Sequence, residues 1–276
     1  MTRHTVTITN PERTFIVADI HGQDALLEKA LGEVGFSAAN GDVLYGLGDL
    51  IDRGPQNTDV LYRFTQPGYH TTLGNHEAIF LALLDNLSPE DAIDIATFLH
   101  EGGMALIIEF VNDEKTRVRY RSHLPEALQA NMLMVSWLYN GGAWFFVDAN
   151  RRPAIQWEAI EYAKQIDFHQ AIELDTPLGK LGLVHAAVPD GDWSGTDRLA
   201  VDVDAYHLWD KHAAKLAFDD TSPAPTYVAN IDRVVVGHCI TPTHRPLLSG
   251  NTVYMDTGAA KGLSPRVMSV SDIFSL

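Results

Sequence analysis

Six oxygen- and nitrogen-bearing side chains sit in short clusters of a kind that binds divalent cations, most of them beside glycine. They are Asp19 and His21 in Asp19-Ile20-His21-Gly22, Asp49 in Gly48-Asp49-Leu50-Ile51-Asp52-Arg53-Gly54, Asn75 in Gly74-Asn75-His76-Glu77, His185 after Leu183-Val184, and His238 after Gly237. Carboxylates, imidazoles and an amide oxygen, without thiolates, suit hard or borderline divalent ions. Six ligands exceed the three or four of a single catalytic zinc. A carboxylate shared by two ions would let the six hold both and leave positions open for water. Two ions roughly 3.5–4 Å apart suit in-line displacement at phosphorus, because they acidify water and neutralise phosphoryl oxygens. Glycines beside the ligands permit tight turns and close backbone approach.

Taken singly, each residue has an ordinary explanation. Asp52-Arg53 reads as a loop salt bridge, His185 and His238 as satisfied histidines, and Asn75 as a turn residue. Those readings do not explain five segments that all follow apolar runs. The runs at residues 14–18, 43–47, 69–73, 181–184 and 233–236 predict strands, as do 252–255 and 266–270. Helical spacing recurs at 23–34 and 58–64. Strand–helix–strand alternation predicts an α/β sheet with helices on its faces. Ligands of such sheets bind outside the carboxyl ends of the strands, so all five segments can reach one edge.

The middle of the chain changes character. Ser88-Pro89-Glu90-Asp91 has a capping serine, a proline at the first helical position and acid in the first turn. That helix is expected to stop at Gly102-Gly103, and 125–139 and 153–165 read as two more. Residues of about 86–165 therefore form a helical insertion. The uncharged run 127–147 contains Gln129, Asn131, Ser136, Asn140, Gly141 and Gly142, too polar for a spanning helix. It reads as a buried helix, a turn and an aromatic segment. Loops are expected at 188–204 and 219–230. No linker divides the chain, so a single domain over 1–276 is expected.

Composition narrows the function classes. Of 276 residues, 46% are hydrophobic and 20% charged, which fits a globular protein with a real core. The net charge of −16 repels phosphate backbones and anionic membranes, so neither nucleic acid nor membrane is an expected partner. A phosphorylated substrate would need local positive charge. The single cysteine, Cys239, permits no intramolecular disulfide or thiolate cluster and suits a reducing cytosol. Residues 1–10 have no apolar signal-peptide core, and a cytoplasmic location is expected.

The chain resembles the metal-dependent phosphoprotein phosphatase family within the calcineurin-like metallophosphoesterases, in particular its lambda-phosphatase-like bacterial and phage members. The family pattern is G-D-x-H-G, G-D-x-x-D-R-G, G-N-H-E, H-A-G and G-H-T. Here stand Ala18-Asp19-Ile20-His21-Gly22, the full second and third motifs, His185-Ala186-Ala187 and Gly237-His238-Cys239. Asn140-Gly141-Gly142 and Met255-Asp256-Thr257-Gly258 also look like that subgroup. The resemblance covers residues of about 15–262. It implies a two-layer β-sandwich flanked by helices and direct hydrolysis of phosphomonoesters, with phosphoserine and phosphothreonine in proteins expected as substrates.

Position by position, the resemblance implies that Asp19, His21 and Asp49 hold one ion. Asp49, Asn75, His185 and His238 would hold the second, with manganese first among the candidates and iron or zinc tolerated. His76 would protonate the leaving alkoxide, with Asp52 orienting it and raising its pKa. Arg53 would bind phosphate oxygens bidentately. The family's second arginine follows H-A-G in a Leu-Trp-x-Arg context, and here the text is Leu208-Trp209-Asp210-Lys211. Lys211 is the candidate, although lysine cannot reproduce the planar fork, and Arg198 is the fallback. Ala18 and Ala187 replace glycines, and Cys239 replaces a common threonine and reads as an inert thiol. The alternatives are a dinucleoside polyphosphate hydrolase, which Asp52 and Glu77 tilt against, and a catalytically inactive phosphoprotein-binding module.

Overall fold

Short strands that alternate side chains between two faces carry the architecture of the computed structural model. It describes residues 3–84, 87–113, 121–148, 150–199, 203, 205–219, 221 and 224–276. The strands are β1 (Arg3–Thr7), β2 (Thr14–Val17), β3 (Val43–Gly46), β4 (Tyr69–Thr72), β5 (Phe168–His169), β6 (Ala171–Thr176), β7 (Gly179–Leu183), β8 (Arg233–Val236), β9 (Leu247–Ser249), β10 (Thr252–Tyr254) and β11 (Val267–Ser269). Among the described residues they form a six-stranded sheet, β1-β6-β7-β8-β10-β9, and a five-stranded sheet, β11-β2-β3-β4-β5. β2, β3, β4 and β5 pair in parallel, as do β7, β8 and β10.

The alternation decides the layers. Ile16, Ala18, Tyr45 and Leu47 point into a core shared with Leu181, Leu183, Val235 and Val253 of the other sheet. Their neighbours Phe15, Val17 and Leu44 point away, into a cluster with α1 (Asp24–Glu33) and α2 (Asn57–Phe64), which contribute Leu27, Leu31, Val60 and Leu61. On the outer face of the six-stranded sheet, Val234, Val236 and Tyr254 meet Trp193, Ala214 and Ala217. Gly182 faces that side because a Cβ there would lie 2.6 Å from the Trp193 ring. The result is the two-layer β-sandwich flanked by helices that the motifs imply.

Between β4 and β5 the described chain is helical: α3 (Asn75–Leu84), α4 (Pro89–Phe98), α5 (Met104–Asn112), α6 (Glu126–Ala130), α7 (Met132–Tyr139) and α8 (Trp157–Gln165). Ser88 caps α4, its Oγ accepting from Asp91 N at 3.1 Å. Residues 86, 204, 220, 222 and 223, which fall in the expected insertion and loops, lie outside the described residues, as do 114–120, 149 and 200–202.

Two boundaries differ from expectation, and one is met: Gly102 turns at φ +97°, which ends the run from α4, and α5 begins as a separate helix after Gly103. Gly103 is there because a Cβ would strike the Phe98 ring. Residues 125–139 are two helices, broken at an extended Asn131 whose side chain accepts from Met134 N at 3.2 Å. Pro153 starts no helix; it bridges Val147, and α8 begins at Trp157. Strands β1 and β6 lie in segments that the apolar runs did not mark, because His4, Glu173 and Asp175 break the hydrophobic pattern. Between β7 and β8 lie α9 (Tyr206–Trp209) and α10 (His212–Ala217), and α11 (Val270–Phe274) follows β11. Among the described residues, no helix is long and apolar enough to cross a membrane.

The break at Asn131 has a measurable cost when its cap is removed. Asn131→Ala should lower stability by about 1 kcal/mol and the melting temperature by about 2–4 °C. An unchanged melting curve would show that the helix start does not need this side chain.

Candidate active site

Six strands deliver chemistry to one edge. Asp19 and His21 follow β2, Asp49, Asp52 and Arg53 follow β3, and Asn75 and His76 open α3 after β4. His185 follows β7, His238 follows β8, and Asp256 follows β10. Among the described residues, nine non-glycine residues have φ in the left-handed region, and five of them belong to this edge: His21, Asp49, Asp52, Arg53 and His238. Such backbone is costly and persists only where surrounding contacts over-determine it.

Glu77 supplies much of that constraint. Its buried carboxylate accepts from the backbone N–H of Asp49 (2.8 Å), Leu50 (2.8 Å), Ile51 (3.1 Å) and Gly74 (3.2 Å). Burial pushes its pKa up to about 8, against the pull of these donors. The glycines allow backbones to touch: a Cβ on Gly54 would lie 2.1 Å from the His21 carbonyl oxygen, and one on Gly74 2.2 Å from Asp49 N.

The imidazoles are oriented by carbonyls. His21 Nδ1 lies 3.0 Å from the Ile51 oxygen, and His185 Nδ1 2.7 Å from the Leu47 oxygen. A carbonyl only accepts, so Nδ1 carries the proton and Nε2 of the neutral ring offers a lone pair. Burial lowers His21 and His238 to about 3 and also lowers His185, which keeps all three rings neutral. The lone pairs then meet other acceptors. His185 Nε2 is 2.9 Å from Asn75 Oδ1 and 3.4 Å from Asp49 Oδ1. His21 Nε2 is 3.7 Å from Asp49 Oδ2 and 3.8 Å from Asp19 Oδ2. His238 Nε2 is buried without a hydrogen-bond partner.

Acceptors that converge without a proton between them fit cations. The ligand atoms of His21, Asp49 and His76 lie within 4.8 Å of one another, and so do those of Asp49, His185 and His238. Asp49 belongs to both groups. Burial opposes its ionisation, but His185, His76, His21 and His238 hold its carboxyl well below the usual range. Burial, together with Asp256 and Asp49, raises Asp19, and burial pushes Asp256 up to about 6. This crowding of acids in a dry pocket is what a divalent ion relieves.

His76 is tied differently from the other rings. Its Nδ1 lies 2.6 Å from Asp52 Oδ2, and its Nε2 3.1 Å from an Arg53 terminal nitrogen. Asp52 is wholly buried and also accepts from Trp137 Nε1 (2.8 Å) and Trp144 Nε1 (2.7 Å). Burial would lower His76, but Asp49 and the bond to Asp52 outweigh it and raise the pKa. Arg53 reaches His21 Nε2 at 3.2 Å and the Asn140 carbonyl at 3.4 Å. Gly141, at φ +116°, presses on Arg53, and a Cβ on Gly142 would lie 2.2 Å from the Trp137 ring.

A cleft of about 410 Å³ opens over these groups, lined by Asp49, Arg53, His76, Lys211, His238 and Asp256 among others. The structure thus brings Lys211 to the rim, just before α10, while Arg198 is not among the lining residues. Burial pushes the Cys239 thiol up to about 11, so it rests protonated at neutral pH. Sequence reasoning assigned no role to Glu77, Trp137, Trp144 or Asp256. Asp256 had a usable signal, since it follows a predicted strand as the candidate ligands do. The tryptophans had none, because nothing in an apolar run separates an indole that donates from one that only packs. Replacing Trp137 or Trp144 with Phe removes a donor from a buried carboxylate and should cost about 1.5–3 kcal/mol in denaturant unfolding. Wild-type stability in both variants would show that Asp52 does not depend on them.

Known proteins give the family of this chain. Residues 12–256 match the family model described as calcineurin-like phosphoesterase. Serine/threonine-protein phosphatase 2 of Escherichia coli K12 is 25% identical over 248 residues, 89% of this chain and 87% of that protein. A symmetrical bis(5'-nucleosyl)-tetraphosphatase of Acidovorax sp. JS42 is 30% identical over 200 residues, 69% of this chain and 63% of that enzyme. The crystal structure of a cold-active protein-tyrosine phosphatase from Shewanella aligns over 95% of this chain and 76% of that one, at 16% identity and a TM-score of 0.44. With most of its length inside the family match, this chain belongs to the calcineurin-like phosphoesterases.

Proposed function

We propose that this phosphoesterase hydrolyses phosphomonoesters, with phosphoserine and phosphothreonine in proteins as its substrates. The observation that carries the reading is the 2.6 Å pairing of His76 Nδ1 with a wholly buried Asp52. A serine or threonine alkoxide is a poor leaving group and needs a proton as it departs. The carboxylate favours the imidazolium and fixes which nitrogen faces the cleft. A nucleotide leaving from a polyphosphate departs as a stable anion and needs such a donor far less.

Asp19, His21 and Asp49 would hold one divalent cation, and Asp49, Asn75, His185 and His238 a second. Bound there, the pair supplies acidified water and neutralises phosphoryl oxygens. Manganese is the first ion to try, followed by iron and zinc. Arg53, braced by Asn140 and Gly141, would bind phosphoryl oxygens, and Lys211, which lines the same cleft, would add charge. Arg53, which donates to His76 Nε2 at 3.1 Å, would turn to the phosphoryl oxygens when substrate binds, and the freed imidazolium Nε2–H would then protonate the departing oxygen while Asp52 holds Nδ1. The second reading, hydrolysis of symmetrical dinucleoside tetraphosphates, draws support from the Acidovorax relative.

Two experiments test these assignments. Manganese at about a hundred times its dissociation constant should stabilise the protein by about 2.7 kcal/mol, and Asp49→Asn should lose that melting shift. A shift that survives the substitution would remove Asp49 from the ligand set. His76→Asn should cut kcat/KM on a phosphoserine peptide by about 10²–10⁴-fold but have a much smaller effect on p-nitrophenyl phosphate, whose leaving group is a stable anion. Equal losses would take the proton donation away from His76. A wild-type preference for diadenosine tetraphosphate over the peptide would favour the second reading.

A further inference from the structure

A second hollow, of about 590 Å³, lies on the outer face of the six-stranded sheet. Its floor is Val234, Val236, Thr252 and Tyr254, the residues of β8 and β10 that alternate away from the inter-sheet core. Thr252 is only 2% exposed, yet its Oγ1 has no hydrogen-bond partner. Buried hydroxyls are normally satisfied, so one left open in the floor of a hollow points to a missing ligand group.

The rim has a definite chemistry. Asp190 and Asp210 line it, together with Tyr206 and Tyr227, which are 55% and 72% exposed. The Tyr206 hydroxyl hydrogen-bonds the Asp210 carboxylate. Among the described lining residues there is no lysine or arginine, and His212 is the one histidine. Apolar walls, two carboxylates and exposed aromatic faces together suit a long aliphatic stem with a cationic head. A polyphosphate emerging through this mouth would meet two like charges. Arginine fits better than lysine, because its fork of N–H donors can serve a carboxylate and the Thr252 hydroxyl together.

The hollow adjoins the cleft. Residues 209–214 separate them: Trp209, Lys211 and Ala214 line the cleft, and Asp210, His212 and Ala213 line the hollow. Ala186 and Ala187, next in sequence to His185, also line the hollow. Neighbouring Cα atoms are about 3.8 Å apart, so the two mouths lie on the order of 10 Å from each other. An extended peptide covers that in about three residues.

We propose that the hollow takes an arginine side chain of the phosphorylated polypeptide, about three residues from the phosphoserine or phosphothreonine in the cleft. This rests on the protein-phosphatase reading above. The test is a set of phosphoserine peptides in which one arginine is moved through five positions on each side of the phosphoserine in an alanine background. Arginine at one favoured position should raise kcat/KM at least tenfold over the all-alanine peptide. Thr252→Val and Asp190→Asn should each shrink that gain to within about twofold and leave turnover of p-nitrophenyl phosphate unchanged. Asp190 is exposed, so its variant reports even where Thr252→Val fails to fold. Peptide cleavage without a preferred arginine position, or a preference that survives both substitutions, overturns the proposal and leaves the phosphatase reading standing. Turnover of diadenosine tetraphosphate with none of any phosphopeptide overturns both.

Discussion

Everything at this edge depends on Asp49 remaining a carboxylate in a place with almost no water. Desolvation alone would protonate it, and four imidazoles prevent that. Three of those rings, His21, His185 and His238, are pushed by burial toward the neutral form, and backbone carbonyls turn His21 and His185 so that their Nε2 lone pairs point inward, whereas His76, bonded to Asp52, is raised. The pocket is therefore rich in acceptors and poor in protons. That imbalance is unfavourable in the protein alone and becomes favourable when positive charge is added. The left-handed backbone at His21, Asp49 and His238 belongs to the same constraint, since ordinary strand ends would not aim these side chains at one point.

The helices between β4 and β5 complete the site from the other side. Trp137 and Trp144 place their indole N–H groups on Asp52, and Asp52 holds His76. Aromatic packing of Phe80 against Trp137, Trp144 and Phe145 fixes those indoles. The orientation of His76 is thus tied to an apolar cluster built largely from the distant helical region. Gly141 and Gly142 are small because Arg53 and Trp137 occupy the space a side chain would need. This packing gives the Asn140-Gly141-Gly142 string a physical reason beyond its resemblance to a motif.

The two sides make different demands on a substrate. The cleft concentrates Arg53 and Lys211 in a protein whose net charge is −16, so phosphate is drawn to one small region of an otherwise repelling surface. The neighbouring hollow is acidic and aromatic, and it lies across a single stretch of chain from the cleft. The proposed phosphopeptide, with an arginine near its phosphate, would meet both charges at once.

Much of this was legible before any fold was known. Polar clusters such as Gly48-Asp49-Leu50-Ile51-Asp52-Arg53-Gly54 follow strand-like runs, and parallel strands deliver their carboxyl ends to one edge, so local pattern pointed to the candidate ligand types and their approximate meeting place. Helix ends were less legible. The stop at Gly102-Gly103 was legible, but 125–139 looked continuous and Asn131 broke it. What only tertiary structure decided were the contacts between residues far apart in sequence: Glu77 gathering the loop after β3, two indoles from a remote helical region reaching Asp52, and Thr252 unpaired in the hollow that Asp190 and Asp210 also line. The physical reason is range. Turn chemistry and hydrophobic period act over a few residues, whereas desolvation and hydrogen-bond satisfaction depend on which distant surfaces the packed core brings together.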